Sequence, residues 1–223
     1  MNISNLVNLP FLGIYLKKNL LFYIIPMNDL IQIIKLIDTE QVDEINNFAD
    51  KLPFSTNTVF GDADECKVDI NSRTSLGVSL DDNHPITQKF HQKINLGLNE
   101  YKRRIEKIHP NFSYYPVPGG QGTSSWRERI QILQYEKTQE YKFHHDEADN
   151  PEIPEYHRKI SVITYLSDGF EGGGTAFPHV TFKPKPGYAI IFPSNWCYPH
   201  AGEPVKEGRK RVAVTWYYVN QAW

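Results

Sequence analysis

The sequence contains little cysteine and carries almost no net charge. Only two of its 223 residues are cysteines, Cys66 and Cys197, and they lie far apart without a neighbour at metal-binding spacing. This excludes a disulfide framework and a zinc finger. The formal net charge is -2 and the isoelectric point is near 6.4. Such a balance supplies no general attraction for phosphate backbones, so we expect no nucleic-acid partner.

Long apolar runs are also missing. Two apolar stretches, 7–16 and 20–26, are separated by Lys17 and Lys18. Neither reaches the roughly 20 residues that a membrane-spanning helix needs. A secretory signal has positive charges before its apolar stretch and a small-residue cleavage site after it, and the sequence shows neither feature. We therefore expect no membrane association, a cytoplasmic location, and an N-terminal extension of uncertain role over residues 1–27.

The length suits one domain with a substantial core, which we place at residues 28–223. In residues 28–110 the pattern predicts a short strand, an amphipathic helix that starts near Asp38, and a longer helix from His84 to about Ile108. Apolar residues share one face of this longer helix, at Phe90, Ile94, Leu98, Tyr101 and Ile105. The first half of the domain is thus expected to be a helical support.

Residues 111–223 have a different character. About half a dozen β-prone runs alternate with Gly and Pro clusters, and no helical periodicity separates them. Short strands in this order are typical of a sandwich or jelly-roll barrel. We therefore predict an α+β fold in which a β-barrel catalytic core follows the helical support.

The second half contains a candidate metal site. His144 and Asp146 stand two positions apart in an extended segment, so their side chains point to the same side, and His200 can complete a three-residue face. Two neutral imidazoles and one carboxylate leave three octahedral positions open, which suits Fe(II) that must also bind a cosubstrate and O2. Structural zinc sites are instead closed and usually contain thiolate.

Motifs around these residues are similar to a known family. The pattern Tyr-Leu-x-Asp, followed by Glu-Gly-Gly-x-Thr-x-Phe-Pro, spans Tyr165 to Pro178 and is the most specific match. A Pro-x-x-Gly-x-Ala strand precedes the second His within 183–192, and an Arg-x-Ser segment occurs at 71–75. In the order and spacing of these motifs, from Asp29 to Trp216, the chain resembles the Fe(II)- and 2-oxoglutarate-dependent dioxygenases, and within them the prolyl 4-hydroxylases.

The first motif has two possible registers, because His145 and Glu147 also form a His-x-Glu pair. Prolyl hydroxylases place a Tyr three residues before the first ligand, and Tyr141 stands in that position before His144. The resemblance therefore favours His144 and Asp146 and leaves His145 outside the ligand set.

The resemblance implies a double-stranded β-helix, a jelly-roll or cupin-like barrel, with His144, Asp146 and His200 as iron ligands. It also implies 2-oxoglutarate as cosubstrate and ascorbate as a possible accessory cofactor. Lys210 is expected to pair with the C5 carboxylate of 2-oxoglutarate, because an unpaired charge inside the barrel would be costly. Hydroxyl groups at Tyr141, Thr175 and Tyr165 are further candidates for contacts with this carboxylate. Arg209 and Arg211 flank Lys210 and are expected on the opposite, solvated face.

By the same resemblance the reaction uses O2, releases succinate and CO2, and hydroxylates a prolyl residue of a peptide or protein. A fold of this kind does not by itself fix the substrate. A hydroxylase acting on a free amino acid, a small metabolite or a nucleobase is one alternative. A non-enzymatic cupin-like metal-binding protein is another, although a passive binder has no use for a cation at Lys210.

Overall fold

A computed structural model describes residues 29–60, 66–110, 125–148 and 156–220. The predicted extension over residues 1–27 lies outside the described residues. The elements, in chain order, are β1 (Gln32–Lys35), α1 (Thr39–Ala49), β2 (Ser55–Thr56), β3 (Val59–Phe60), β4 (Cys66–Lys67), β5 (Leu76–Ser79), α2 (Pro85–Ile108), β6 (Ser125–Arg127), β7 (Gln131–Tyr135), β8 (Tyr141–His144), β9 (Tyr156–Tyr165), β10 (Glu171–Gly172), β11 (Thr175–Phe177), β12 (Val180–Phe182), β13 (Tyr188–Pro193), β14 (His200–Gly202), β15 (Val205–Glu207) and β16 (Lys210–Asn220).

Both helices begin where their sequences provide caps. The Asp38 carboxylate accepts a hydrogen bond from the Gln41 amide at 2.9 Å, and the Gln41 side chain reaches back to the Asp38 amide. This reciprocal capping box satisfies two amides that the first helical turn leaves without partners. His84 caps α2 with its ring, and Pro85 occupies the first turn, where no amide hydrogen is needed.

The long helix α2 packs its predicted apolar face inward. The five residues of that face are each at most 2% exposed: Phe90, Ile94, Leu98, Tyr101 and Ile105. Burial of each such side chain contributes on the order of 1.5–3 kcal/mol before entropy is subtracted. The predicted helix and its buried stripe are confirmed.

The larger sheet has eight strands in the order β1-β13-β9-β16-β7-β5-β2, with β6 paired to β16. Its central strand, β16, pairs with β7 on one side and with β9 on the other. Lys210 is the first residue of β16 and pairs with Tyr135 of β7, and the pairing with β9 begins at Val212. The sheet thus fixes the backbone of the predicted cosubstrate residue.

The smaller sheet has four strands in the order β12-β11-β14-β8. The turn between β10 and β11 uses Gly172 and Gly173, whose φ angles of 67° and 63° are strained for residues with a side chain. The two sheets meet through aromatic contacts, such as the edge-to-face pair of Phe177 and Phe192 at 5.0 Å between ring centroids. This arrangement confirms the predicted α+β fold with a double-stranded β-helix.

Two hydrophobic clusters lie on opposite faces of the larger sheet. One lies beneath the helices and includes Ile45, Leu98 and Ala213. The other fills the space between the sheets and includes Leu133, Tyr165 and Trp216. The helices therefore cover one face of the larger sheet, and the opposite face is left to line the interior of the barrel.

The sheet takes strands from both halves of the chain. Strands β1, β2 and β5 precede residue 110, yet they join the larger sheet beside β13 and β7. The division into a helical support over 28–110 and a barrel over 111–223 is therefore less sharp than the sequence predicts. Strands of two to four residues show too little alternation to be separated from loops. Neither helix in the described parts of the chain combines the length and apolar character that a membrane crossing requires.

Candidate functional site

The structure brings His144, Asp146 and His200 together inside the barrel. One ligand atom from each lies within 4.8 Å of the others. His144 ends β8, and His200 begins β14 directly opposite it in the smaller sheet. Asp146 follows β8, and its amide donates to the Ser194 carbonyl at 3.1 Å, which ties the segment to the end of β13. The pairing of β8 with β14 thus brings together two histidines that are far apart in sequence.

Backbone carbonyls orient both imidazoles. Nδ1 of His144 lies 2.7 Å from the Lys142 carbonyl, and Nδ1 of His200 lies 3.2 Å from the Tyr198 carbonyl. A carbonyl can only accept, so each Nδ1 carries the hydrogen and each Nε2 keeps its lone pair. The two Nε2 atoms face the Asp146 carboxylate at 3.4 and 3.5 Å. Three electron-pair donors therefore converge on one point.

Hydrogen bonds hold Asp146 as a carboxylate. Burial alone would raise its pKa, but positive charge on His200 or His144, in the form protonated at Nε2, and a hydrogen bond from Trp216 lower the pKa. The Ser161 hydroxyl also donates to Oδ2 of Asp146 at 2.7 Å. The carboxylate is thus ionised and oriented, as a metal ligand must be.

Burial keeps His200 neutral. It lowers the pKa of this imidazole to about 4, and the attraction of Asp146 recovers only part of the shift. His200 is 3% exposed. A neutral imidazole at neutral pH is the form that binds a metal ion.

The competing register is not assembled in the same way. Both His145 and Glu147 are exposed at the rim of the cavity. They do not belong to the group of converging donors found among the described residues. The geometry therefore favours His144 and Asp146 over the alternative pair.

Lys210 lies in the interior of the same cavity and is 2% exposed. Its Nζ is 4.9 Å from the centroid of the Tyr135 ring and 5.4 Å from that of Tyr165. Burial lowers the pKa of Lys210 to about 7, with Glu203 opposing and Lys183 adding to the shift. Among the described residues no carboxylate forms an ion pair with this ammonium. An anion that reached this end of the cavity would stabilise its charged form.

Thr175 and Tyr165 lie beside Lys210 and contact each other. Their hydroxyl oxygens are 2.9 Å apart, and both side chains are buried. Burial raises the pKa of Tyr165, so it remains a neutral phenol. One of the two hydroxyls can donate to an anion while the other orients it. The structure therefore places Tyr165 beside Lys210 and Thr175 beside Tyr165, and their contact with the cosubstrate carboxylate stays a prediction.

Tyr141 occupies a different part of the cavity. Its ring stacks on His144 with centroids 3.6 Å apart, and burial raises the pKa of its hydroxyl to about 12. The Arg73 guanidinium lies 4.7 Å from the centroid of the same ring. Tyr141 thus packs directly on a candidate ligand, whereas its predicted contact with the cosubstrate carboxylate stays a prediction.

Two cavity residues, Tyr135 and Arg158, were not predicted as site residues from the sequence. Tyr135 is 3% exposed and stands opposite Lys210 in the β7–β16 pair. Arg158 is 8% exposed, forms a bidentate pair with Glu128, and lies 4.0 Å from the centroid of the Trp216 ring. Alternation along 131–135 could have found Tyr135. Arg158 stands between His157 and Lys159, so no local signal set it apart.

The arginines that flank Lys210 do lie on the other face of the strand, but only one is solvated. Arg209 is exposed and pairs with Glu136 at 2.7 Å. Arg211 is 7% exposed, and its Nη2 donates to Asp50 and Gln134, each at 2.7 Å. The prediction of a solvated Arg211 is wrong because α1 covers this face of the sheet.

The lining side chains enclose a cavity of about 640 Å³. The three converging donors and Lys210 all line it. Its apolar wall includes Leu133 of β7 together with Val212 and Val214 of β16. A small dianion with a metal-binding end would fit this distribution of charge. The remaining volume opens toward Arg129 and Glu147 at the rim.

The model of the 2OG-Fe(II) oxygenase superfamily matches residues 130–218. This range includes all three converging donors and Lys210. Over this range, which is less than half of the chain, the sequence is similar to that superfamily. The predicted resemblance is therefore confirmed, and with it Fe(II) and 2-oxoglutarate as metal and cosubstrate.

Curated relatives of this oxygenase carry prolyl 4-hydroxylase names. A putative prolyl 4-hydroxylase of Acanthamoeba polyphaga mimivirus is 28% identical over 209 residues, which cover 86% of this chain and 75% of the relative. Probable prolyl 4-hydroxylase 10 of Arabidopsis thaliana is 30% identical over 159 residues, covering 56% of this chain and 51% of the relative. The oxygenase spans about half the length of the Arabidopsis relatives that it matches.

Solved structures share its fold. The viral collagen prolyl hydroxylase of Paramecium bursaria Chlorella virus-1, in a complex with 2OG, has a TM-score of 0.60 at 23% identity and covers 85% of this chain and 96% of its own. A prolyl hydroxylase from Trichoplax adhaerens, in complex with a hypoxia inducible factor peptide fragment, has a TM-score of 0.62 at 16% identity and covers 92% of both chains. At these identities the likeness concerns the fold of the oxygenase.

Proposed function

We propose that this oxygenase hydroxylates a prolyl residue of a peptide or protein and converts 2-oxoglutarate to succinate and CO2. The observation that carries the proposal is the presence of the converging donors and the buried Lys210 in a single cavity. The prolyl 4-hydroxylase names of the relatives support the choice of substrate. A role for ascorbate stays a prediction.

His144, Asp146 and His200 would hold the metal. Their donor set of two imidazole nitrogens and one carboxylate oxygen suits Fe(II) and leaves other positions free. When bound, Fe(II) together with 2-oxoglutarate and O2 supplies the oxidising chemistry of the reaction. The chain itself fixes the donors: two backbone carbonyls orient the imidazoles, and Ser161 orients the carboxylate.

Lys210 would bind the C5 carboxylate of 2-oxoglutarate, and Thr175 and Tyr165 would complete the pocket with hydroxyl groups. A charge-assisted hydrogen bond in a buried site is stronger than one between neutral groups. The Tyr135 ring packs beside the ammonium, with its centroid 4.9 Å from Nζ. We infer from the position of Tyr135 that it belongs to the cosubstrate pocket as well.

The substrate would enter at the open end of the cavity. A passive metal-binding barrel has no need of an ammonium that is 2% exposed and without a carboxylate partner among the described residues. A small-molecule hydroxylase would have use for it, so substrate class must be tested separately. The volume of about 640 Å³ leaves space for a substrate side chain beside the cosubstrate.

Succinate formation by the Fe(II)-loaded protein tests this proposal. We expect a proline-containing peptide to raise succinate production above the rate without peptide, whereas the same peptide with alanine in place of proline should not. Stimulation by a nucleobase, a free amino acid or another metabolite, with none by the proline peptide, would show that the substrate assignment is incorrect.

A further inference from the structure

Besides Lys210, the described lining of the cavity includes a second positively charged side chain that forms no ion pair. Arg73 is 7% exposed and lines the cavity. Its Nε donates to the Ser75 hydroxyl at 2.9 Å, and its Nη1 lies 3.4 Å from the Thr58 carbonyl. Both acceptors are neutral. Within the described parts of the chain, Arg73 forms no ion pair with a carboxylate.

The acidic residues that line the cavity are engaged elsewhere. Glu128 holds Arg158 through two short hydrogen bonds of 2.7 and 2.8 Å. Asp146 belongs to the converging donors, and Glu147 is exposed at the rim. None of these three neutralises Arg73.

Bound metal and cosubstrate would not neutralise it either. Fe(II) brings two positive charges and 2-oxoglutarate brings two negative ones, while Asp146 and Lys210 offset each other. The charge of Arg73 is therefore left over in the loaded site. A buried guanidinium without a counter-ion is costly, and its planar fork is suited to a carboxylate.

The position of Arg73 indicates which molecule supplies the anion. The guanidinium lies against the ring of Tyr141, and that ring stacks on His144. Arg73 is thus one aromatic ring away from a candidate metal ligand. An extended peptide advances about 3.3 Å per residue. A group within roughly three residues of the reacting proline can therefore reach the guanidinium.

We propose that Arg73 binds a carboxylate side chain of the peptide substrate, so that the enzyme prefers a prolyl residue with Asp or Glu close to it in sequence. This inference rests on the proposed prolyl hydroxylase function. It adds a substrate class, the acidic proline-containing peptides, to that function.

Calorimetric titration with matched peptides tests the inference without turnover. The Fe(II)-loaded protein with 2-oxoglutarate, kept free of O2, is titrated with short capped alanine peptides that contain one proline and either Glu or Gln at a single neighbouring position. At one position or more we expect the Glu peptide to bind about tenfold more tightly than its Gln counterpart. In Arg73→Gln this difference should fall below about twofold, and Arg73→Lys should retain part of it.

Arg129→Gln is the matched control, because Arg129 is an exposed arginine that lines the same cavity. If Arg73 contacts the Glu side chain directly, the Arg129→Gln variant should keep the preference for Glu, whereas a general positive field would make both arginines matter. Equal binding of Glu and Gln peptides by the unaltered protein would overturn the inference without any variant. So would an unchanged preference in Arg73→Gln.

The same peptides separate this inference from the proposed function. If O2 is admitted and proline is hydroxylated equally in Glu and Gln peptides, the prolyl function stands and the role of Arg73 is incorrect. If no peptide gains oxygen, the prolyl function itself fails.

Discussion

Lys210 and Tyr135 stand opposite each other in neighbouring strands, with Nζ of the lysine 4.9 Å from the centroid of the tyrosine ring. Both residues line the cavity, and so do the three converging donors. This relationship gives the cavity two ends with different chemistry. One end suits a metal ion, and the other suits an anion.

The first prediction concerns the charge of Lys210. Removing one partner of a buried charge pair typically costs about 3–5 kcal/mol. Lys210→Ala should therefore raise the 2-oxoglutarate concentration needed for half-maximal turnover by roughly two orders of magnitude or more. Lys210→Arg should recover part of the loss, since it keeps the charge but not the shape. Fe(II) affinity should stay the same in both variants, and a parallel loss of iron would contradict a role confined to the cosubstrate.

The second prediction concerns pH. The pKa of Lys210 is lowered to about 7 by burial, and a bound carboxylate raises it again. Below that pH the ammonium is already present, so 2-oxoglutarate binds most tightly. Above it, binding must take up a proton, and the dissociation constant should rise by up to about tenfold per pH unit. Calorimetry on the Fe(II)-loaded protein without O2 should detect this uptake, and Lys210→Arg should abolish it. A dissociation constant independent of pH between 7 and 9 would show that the ammonium is not the binding group.

The third prediction separates the two metal registers. Replacing His144, Asp146 or His200 with Ala should remove most Fe(II) binding and all turnover while the barrel stays folded. His145→Ala and Glu147→Ala are matched controls, because both residues are exposed at the rim, and they should retain iron. Metal analysis after dialysis gives the stoichiometry, and circular dichroism reports the fold. Iron loss in the control variants alone would move the site to the other register.

The fourth prediction concerns the two arginines beside Lys210. Arg211 is buried and donates to Gln134 and Asp50, whereas Arg209 is exposed. Arg211→Ala should lower the free energy of unfolding by about 1–3 kcal/mol, since it leaves a buried acceptor without its donor. Arg209→Ala should change it by less than about 1 kcal/mol. Urea denaturation measures both values, and 2-oxoglutarate affinity should be nearly unaltered in both variants. A large loss of cosubstrate affinity in either variant would contradict the assignment of Lys210, rather than its two neighbours, to the cavity face of β16.

The parts of the fold with strong local signals could be predicted from sequence. The apolar stripe of α2 repeats over about four turns, from Phe90 to Ile105, and Pro85 marks the beginning of the helix. The donors His144 and Asp146 could be proposed because alternation in an extended segment puts them on one side. Their meeting with His200 depends on the pairing of β8 with β14, which only the resemblance to a known family suggested.

Features that depend on tertiary covering could not be predicted. The burial of Arg211 follows from the position of α1 over the sheet, and no local pattern near residue 211 reports it. Alternation along β7 puts Tyr135 on the inner face of the sheet, but its position opposite Lys210 depends on the register of two strands that are distant in sequence. The uncompensated charge of Arg73 likewise became visible only when the partners of all the cavity's carboxylates were known.

The fate of O2 tests prolyl hydroxylation most directly. The Fe(II)-loaded protein is supplied with 2-oxoglutarate, isotopically labelled O2 and a proline-containing peptide, and the peptide is fragmented in a mass spectrometer. We expect one labelled oxygen atom on the proline residue and one succinate for each peptide hydroxylated. If succinate forms but the peptide gains no labelled oxygen at any concentration tested, prolyl hydroxylation is contradicted.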